Sequence, residues 1–228
     1  MSKDESFESE RSSGGEEDTK QGKENEENSP QSELANYDLI RAISITLDSI
    51  LETNKKLEDY KEIIRAQSRQ VFSANIIPSI SVKDYLIRIQ TYSNIERSTL
   101  IISLIYIDRF CNKAKITLTH YNIHRILFSS ILMGIKFNED NFYDNKYYAQ
   151  IAGVKVKELK ILEYHFIKLL NCELFVRRDL YDKYEAYLKN FNYGDEKLRQ
   201  MVIVPVIQQI DIVVQLLNGT QGRQFVLS

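Results

Sequence analysis

Two long apolar segments constrain the fold of this chain more than any other feature of its sequence. The segments "TLIISLIYIDRF" (99–110) and "HYNIHRILFSSILMGIKF" (120–137) are apolar on nearly every side of a helix. A helix of that kind is stable only when other helices surround it. Strand-type alternation is nowhere sustained in the sequence, and only 8 Gly and 3 Pro interrupt its 228 residues. The sequence therefore predicts an all-α fold with these two helices at its centre.

Further helices are predicted on both sides of this pair. Ser81 and Asp84 have the spacing of a capping box, which predicts a helix that runs to about Tyr92. Thr119 is the predicted N-cap of the second apolar helix, and Gly153 is the predicted end of a short helix, "KYYAQIAG". The other predicted helical segments are one long or two short helices over 36–66, "KVKELKILEYHFIKLL", 178–188 and 195–217.

The first 33 residues differ in composition from the rest of the chain. They carry four basic and eleven acidic residues, a net charge of −7, with almost no large apolar side chains. Such a segment buries too little apolar surface to offset the entropy of ordering, which predicts disorder. We expect a tail at 1–33, an amphipathic helical segment at 34–68, a five-helix domain at 69–175 and a helical extension at 176–228.

Two short motifs lie in this tail. Lys23, Glu24 and Asn25 have the form of a degradation signal, and Ser29 precedes Pro30 as in a minimal proline-directed phosphorylation site. Either motif can arise by chance in a tail of this composition, so both are hypotheses.

Composition and spacing argue against several classes of protein. Residues after the tail carry a net charge of only about +5, which argues against a nucleic-acid binder. The longest apolar run is too short to span a membrane and no secretory signal precedes it, so we expect an intracellular, soluble protein. Cys111 and Cys172 lack CxxC spacing and are predicted to be reduced core thiols.

The sequence also gives no sign of a metal, a cofactor or an active site. His120 and His124 are spaced i, i+4, but no third ligand stands at a telling spacing, so we predict no metal site. The predicted folded region has no glycine-rich phosphate loop and no pattern of a catalytic triad or a kinase catalytic loop. We therefore predict a protein that is not an enzyme and binds no cofactor.

Lys136 raises a separate question, because it follows the apolar run "ILMGI" and precedes the acidic residues Glu139, Asp140 and Asp144. A solvated lysine near a helix C-terminus suits the helix dipole and needs no further explanation. Alternatively, the lysine faces a partner, and the acidic residues after it form a polar rim. The residues alone leave both interpretations open.

Five segments of the chain resemble P/U-type cyclins, the phosphate-signalling branch of the cyclin-box family. They are "FSANIIPSISVKDYLIRI", "LIYIDRF", "NIHRILFSSILMGIKFNED", "YDNKYYAQIAGV" and "KELKILEYHF", and they occur in the family's order over about residues 70–175. The resemblance implies a single five-helix cyclin box with flanking N-terminal and C-terminal helices. It also implies a regulatory subunit that binds and activates a cyclin-dependent Ser/Thr kinase by docking on the kinase αC helix.

Four residues take roles from this resemblance. Lys136 and Glu163 match the lysine and glutamate with which cyclins contact the kinase. Arg88 resembles the arginine of the first helix in the P/U-type box and is the candidate partner of Asp108 in a buried ion pair, which would be structural. The alternative function is a cyclin-fold scaffold or adaptor that binds protein partners without activating a kinase.

Overall fold

The computed structural model describes residues 30–192, and within that range all regular structure is α-helical. The helices are α1 (Pro30–Lys55), α2 (Tyr60–Gln67), α3 (Val82–Ser93), α4 (Arg97–Ala114), α5 (Ile123–Asn138), α6 (Asn145–Ala152), α7 (Val156–Leu169) and α8 (Arg178–Asn192). The chain divides into a unit of Met1–Ala35 and a unit of Asn36–Ser228. Only the start of α1 is described in the first unit, so all that follows concerns the second. The predicted all-α fold is confirmed.

Local signals in the sequence explain several helix ends. The Ser81 hydroxyl accepts a hydrogen bond from the backbone N–H of Asp84 at 3.0 Å and donates one to the Asp84 carboxylate at 2.7 Å, so this pair caps α3 as predicted. Gly153 ends α6 with φ of +71°, a left-handed conformation that glycine adopts without steric cost. Both predicted helix boundaries are confirmed.

Two local predictions were wrong. Asn122, not Thr119, precedes the first residue of α5, and its side-chain oxygen accepts a hydrogen bond from the Thr119 N–H at 2.8 Å. The asparagine organises the turn before the helix, so the threonine is not its cap. Cys111 is a buried thiol as predicted, but Cys172 is exposed because α7 ends at Leu169 and the chain turns with positive φ at this cysteine.

The core surrounds α4 and α5, which pack more extensively against each other than any other pair of described helices. α5 also packs against α7, and α4 against α8. Phe110 of α4 stacks on Phe166 of α7 with ring centroids 4.6 Å apart, and Phe72 meets Phe110 edge-on at 4.8 Å. These buried rings join α4 to α7 and to the loop before α3.

The predicted ion pair between Arg88 and Asp108 is absent from the described residues, which is a correction to the sequence analysis. Arg88 donates through Nη2 to the backbone oxygen of Gln150 at 2.9 Å, which ties α3 to α6. Asp108 accepts a hydrogen bond from the Tyr184 hydroxyl at 2.7 Å, which ties α4 to α8. The carboxylate needed a partner at the edge of the core, as expected, but α8 supplies it.

Several predictions concern residues that the structure does not describe. The possible degradation signal Lys23-Glu24-Asn25, the possible phosphorylation site Ser29 and the predicted helix over 195–217 all lie outside the described residues. Within residues 30–192, no helix has both the length and the apolar character needed to span a membrane. Over the same range, no three His, Cys, Asp or Glu side chains are grouped to hold a metal ion.

Candidate functional site

Lys136 and Glu163 lie together where α5 and α7 pack side by side. Lys136 is in the last turn of α5 and Glu163 is near the middle of α7. The lysine Nζ is 2.6 Å from the glutamate Oε1, and each side chain is only 23% exposed. Lys136 is therefore an ion-paired, half-buried residue at the protein surface. It is not the freely solvated lysine that the helix dipole alone would explain.

Asn145 completes a closed network with this ion pair. Its side-chain oxygen accepts a hydrogen bond from Lys136 Nζ at 2.7 Å, and its amide nitrogen donates to Glu163 Oε2 at 2.8 Å. Asn145 is the first residue of α6, so one residue from each of three helices meets at this point. Asn145 was not predicted as a site residue, because nothing near it in the sequence shows that α6 starts beside the end of α5.

Two of the three acidic residues after Lys136, Glu139 and Asp144, have local structural roles. Asp144 is the N-cap of α6, where its carboxylate accepts a hydrogen bond from the Tyr147 N–H at 2.8 Å. Glu139 accepts a hydrogen bond from the Glu96 N–H at 3.2 Å. These contacts hold the α5–α6 loop and so fix the position of Asn145 relative to Lys136.

Tyrosines also hold this loop in place. The Tyr148 hydroxyl accepts a hydrogen bond from the Tyr143 N–H at 3.2 Å, and burial raises the pKa of Tyr148. Tyr147 donates its hydroxyl proton to the backbone oxygen of Tyr92 at 2.7 Å, which joins α6 to the end of α3. The network of Lys136, Asn145 and Glu163 is thus supported by hydrogen bonds on the side of α6.

Large apolar side chains are exposed on the elements that carry this network. Each is at least half exposed: Phe137, Phe142, Tyr143, Ile161 and Tyr164. Exposed aromatic and aliphatic side chains around a partly buried polar centre are typical of protein–protein interfaces. The arrangement can therefore bind a protein through apolar contacts and orient it through charge-assisted hydrogen bonds.

The two histidines that share i, i+4 spacing have separate partners. His124 contacts the backbone oxygen of Ile80 through Nε2 at 2.9 Å, and burial is the main cause that lowers the pKa of His124. His120 Nε2 is 3.7 Å from the Glu52 carboxylate of α1. The two imidazoles therefore contact different neighbouring groups, and the buried Nδ1 of His124 has no hydrogen-bond partner among the described residues.

Comparison with known proteins identifies the family to which this chain belongs. The sequence model of the cyclin family matches residues 19–174, more than half of the chain. The chain belongs to the cyclin family, and the described part of the matched region is all-α, as expected of a cyclin box.

Curated relatives place the chain more narrowly within this family. Cyclin-U4-1 of Arabidopsis thaliana is 32% identical over 160 residues, which cover 69% of this chain and 79% of the relative. Cyclin-P3-1 of Oryza sativa subsp. japonica is 29% identical over 164 residues, which cover 72% of this chain and 66% of the relative. The chain is a P/U-type cyclin-box protein. Cyclins are regulatory rather than catalytic proteins, so the family indicates a regulatory role.

Proposed function

We propose that this chain is a regulatory subunit that binds and activates a cyclin-dependent Ser/Thr protein kinase by docking on the kinase αC helix. The observation that carries the proposal is the half-buried network of Lys136, Asn145 and Glu163 within exposed apolar surface. Membership of the cyclin family supports a kinase as the class of partner. The chemistry belongs to the kinase, and this chain contributes binding energy.

The network suits recognition of a peptide backbone. The Lys136 ammonium has three donors, two of which go to Glu163 and Asn145, so one remains for a backbone carbonyl of the partner. The Glu163 carboxylate has lone pairs left to accept backbone N–H groups. The network holds both charges in place before binding, so little conformational entropy is lost when the kinase docks.

Activation follows when the cyclin binds the active conformation of the kinase more tightly than the inactive one. A protein kinase is active when the αC glutamate pairs with the catalytic lysine, and αC positioning controls that pair. A partner that contacts αC only in its active position shifts the equilibrium between inactive and active kinase. The size of the shift equals the difference between the partner's affinities for the two conformations. An interface of this kind buries on the order of 2,000 Å² or more.

Affinity capture with paired variants tests the proposal. Tagged chain is purified from its native cells, co-purifying kinases are identified by mass spectrometry, and the protein kinase activity of the eluate is measured. Lys136→Ala/Glu163→Ala should lose kinase activity. Lys113→Ala/Glu173→Ala removes another ion pair of 2.6 Å between α4 and the α7–α8 loop and serves as the matched control.

The outcomes separate the two candidate functions. Loss of activity in the first double variant and retention in the control support the activating cyclin. Full activity in both double variants overturns the site. A reproducible set of partners that contains no kinase overturns the activating function and favours the adaptor.

A further inference from the structure

Helix α7 and the loop after it carry apolar side chains that nothing in residues 30–192 covers. Ile161 and Tyr164 are 50% and 57% exposed, and their three-residue spacing places them on one side of α7. Leu169, the last residue of the helix, is 38% exposed, and Phe175 in the following loop is 73% exposed. We call these four residues the α7 surface. Exposed apolar side chains grouped in this way mark a surface that binds another segment or another protein.

The loop that carries Phe175 is held against α4 by hydrogen bonds. Arg109 Nη1 donates to the backbone oxygens of Glu173 and Phe175, both at 2.9 Å. The fully buried Tyr106 donates its hydroxyl proton to the backbone oxygen of Leu174 at 2.6 Å. The backbone of the loop is therefore fixed before anything binds, which lowers the entropy cost of covering Phe175.

The residues after α8 include an apolar segment. Residues 210–217, "IDIVVQLL", contain six large aliphatic side chains and a single charged one, Asp211. A helix is expected over 195–217, with Ile210, Val213 and Leu217 on one face. Because so much apolar surface is unfavourable in water, this segment is expected to be covered by another apolar surface.

The segment is long enough to reach the α7 surface. α8 starts three residues after Phe175 and spans about 22 Å in its 15 residues. If the chain reverses direction after Asn192, where Gly194 permits a tight turn, about 15 helical residues return it over the same distance. Residues from 210 onward are then level with Phe175 and the end of α7. Pro205 bends a helix, so the second half of the segment can leave the direction of α8 and follow α7.

Charge is also complementary between the segment and the α7 surface. Lys168 is exposed, with its Nζ 5.6 Å from the centroid of the Tyr164 ring, and it forms no ion pair within residues 30–192. Lys160 is exposed one turn before Tyr164. The one charged side chain of the segment, Asp211, is acidic. An exposed pair of this kind adds little affinity, but it favours one orientation of the segment over others.

We propose that residues 210–217 of this chain cover the α7 surface in the free protein and that a docking kinase displaces them. Tyr164 follows Glu163 in the sequence, so the covered surface adjoins the ion pair of Lys136 and Glu163. The contact is autoinhibitory, because the segment and the kinase use the same apolar side chains and only an uncovered chain binds the kinase. The identity of the displacing partner rests on the proposed function, whereas the contact itself does not.

Photo-crosslinking of the purified full chain tests the contact without any kinase. Benzoylphenylalanine replaces Tyr164 in one chain and Tyr92 in another, since Tyr92 in the last turn of α3 is also 57% exposed. An equal mixture of unlabelled and nitrogen-15-labelled protein distinguishes crosslinks within a chain from crosslinks between chains. Mass spectrometry should find residues 210–217 joined to position 164 of the same chain and not to position 92.

Two substitutions in the segment make this result specific. Val213→Asp places a charge on the apolar face and should remove the crosslink from position 164. Gln215→Asp adds the same charge at a position that is already polar and should keep the crosslink. Far-UV circular dichroism checks the fold of each variant.

The same two variants test the autoinhibitory role in chains without the photo-probe. Val213→Asp should strengthen binding of the kinase identified by affinity capture by about tenfold, the factor for a surface that is covered in nine chains out of ten. Gln215→Asp should leave kinase binding unchanged, because the segment keeps its apolar face.

A crosslink within the chain that Val213→Asp removes and Gln215→Asp keeps supports the contact. Crosslinks only between chains, no crosslink to residues 210–217, or equal crosslinking from position 92 overturns it. Unchanged kinase affinity in Val213→Asp, with the crosslink lost, overturns the autoinhibitory role. The crosslinking readout contains no kinase, so failure of the contact and failure of the kinase proposal are distinguishable.

Discussion

Gly134→Ala tests the close packing of α4 against α5 two residues before Lys136. A Cβ at this position would stand 2.9 Å from the Thr99 Cγ2 and 3.6 Å from the Thr99 backbone oxygen. Thr99 is fully buried and β-branched, so its methyl group has little freedom to move. The added methyl therefore overpacks the contact.

The net effect on stability combines two opposing contributions. Alanine in place of glycine favours the helix by about 1 kcal/mol. Overpacking of a well-packed core costs about 1–3 kcal/mol. We therefore expect Gly134→Ala to lower the free energy of unfolding by about 0–2 kcal/mol, despite the better helix propensity of alanine.

A double-mutant cycle with Thr99→Ser isolates the packing contribution. The serine removes Cγ2 and costs about 1 kcal/mol by itself. In the double variant the overpacking disappears, so it should be about 1–3 kcal/mol more stable than the sum of the single effects. Urea unfolding of the full chain gives each value from the transition midpoint at constant m.

The cycle also defines the result that would refute this reasoning. If the two single effects add within about 0.5 kcal/mol, the groups do not interact and the close approach of α4 to α5 is not present in solution. A gain of the full helix-propensity increment by Gly134→Ala alone would lead to the same conclusion.

Two further predictions concern the network and the buried histidine. Asn145→Ala should weaken kinase binding by about 5- to 30-fold, because two hydrogen bonds that hold the charged groups of the network are lost. Asn141→Ala, in the exposed loop, should leave kinase binding unchanged. Because burial lowers the pKa of His124, the folded state resists its protonation. The stabilising contribution of the neutral imidazole is therefore fully present above the unfolded pKa of about 6.5 and is lost as the pH falls below that value. His124→Gln should reduce this loss, and Tm measured between about pH 5 and 8 checks it.

Clear results would contradict each of these predictions. Equal kinase binding by Asn145→Ala and wild type would show that the asparagine does not position the ion pair. Identical dependence of Tm on pH in wild type and His124→Gln would show that this imidazole does not govern the acid side of stability. His165→Gln, on a partly exposed position of α7, is the control for a general effect of losing a histidine.

Short-range signals in the sequence were sufficient for much of the fold. The apolar pattern of α4 and α5 predicted central helices, and the cap at Ser81 and the stop at Gly153 follow from local hydrogen bonding and backbone conformation. Asn122 shows the limit of such signals, because Thr119 is also a residue type that caps helices and the sequence alone does not show which of the two precedes α5.

Long-range contacts account for what the sequence analysis missed. The partner of Asp108 is Tyr184, which lies 76 residues further along the chain and beyond the cyclin box. Asn145 joins Lys136 and Glu163 only because α6 begins where α5 and α7 meet, and no local pattern encodes that meeting. The proximity of Lys136 and Glu163 could be predicted from the family resemblance, because a resemblance implies a three-dimensional arrangement. The spacing of the two residues in the sequence does not imply one.

The most direct test of the central claim is site-specific photo-crosslinking in native cells. A benzoylphenylalanine replaces Phe137, which is about half exposed beside Lys136, and a second chain carries it at Ile76, an exposed position in the loop before α3. The account predicts that position 137 crosslinks to the αC region of a protein kinase and that position 76 does not. A kinase crosslinked from position 76 and not from 137, or no kinase from either position, would contradict it.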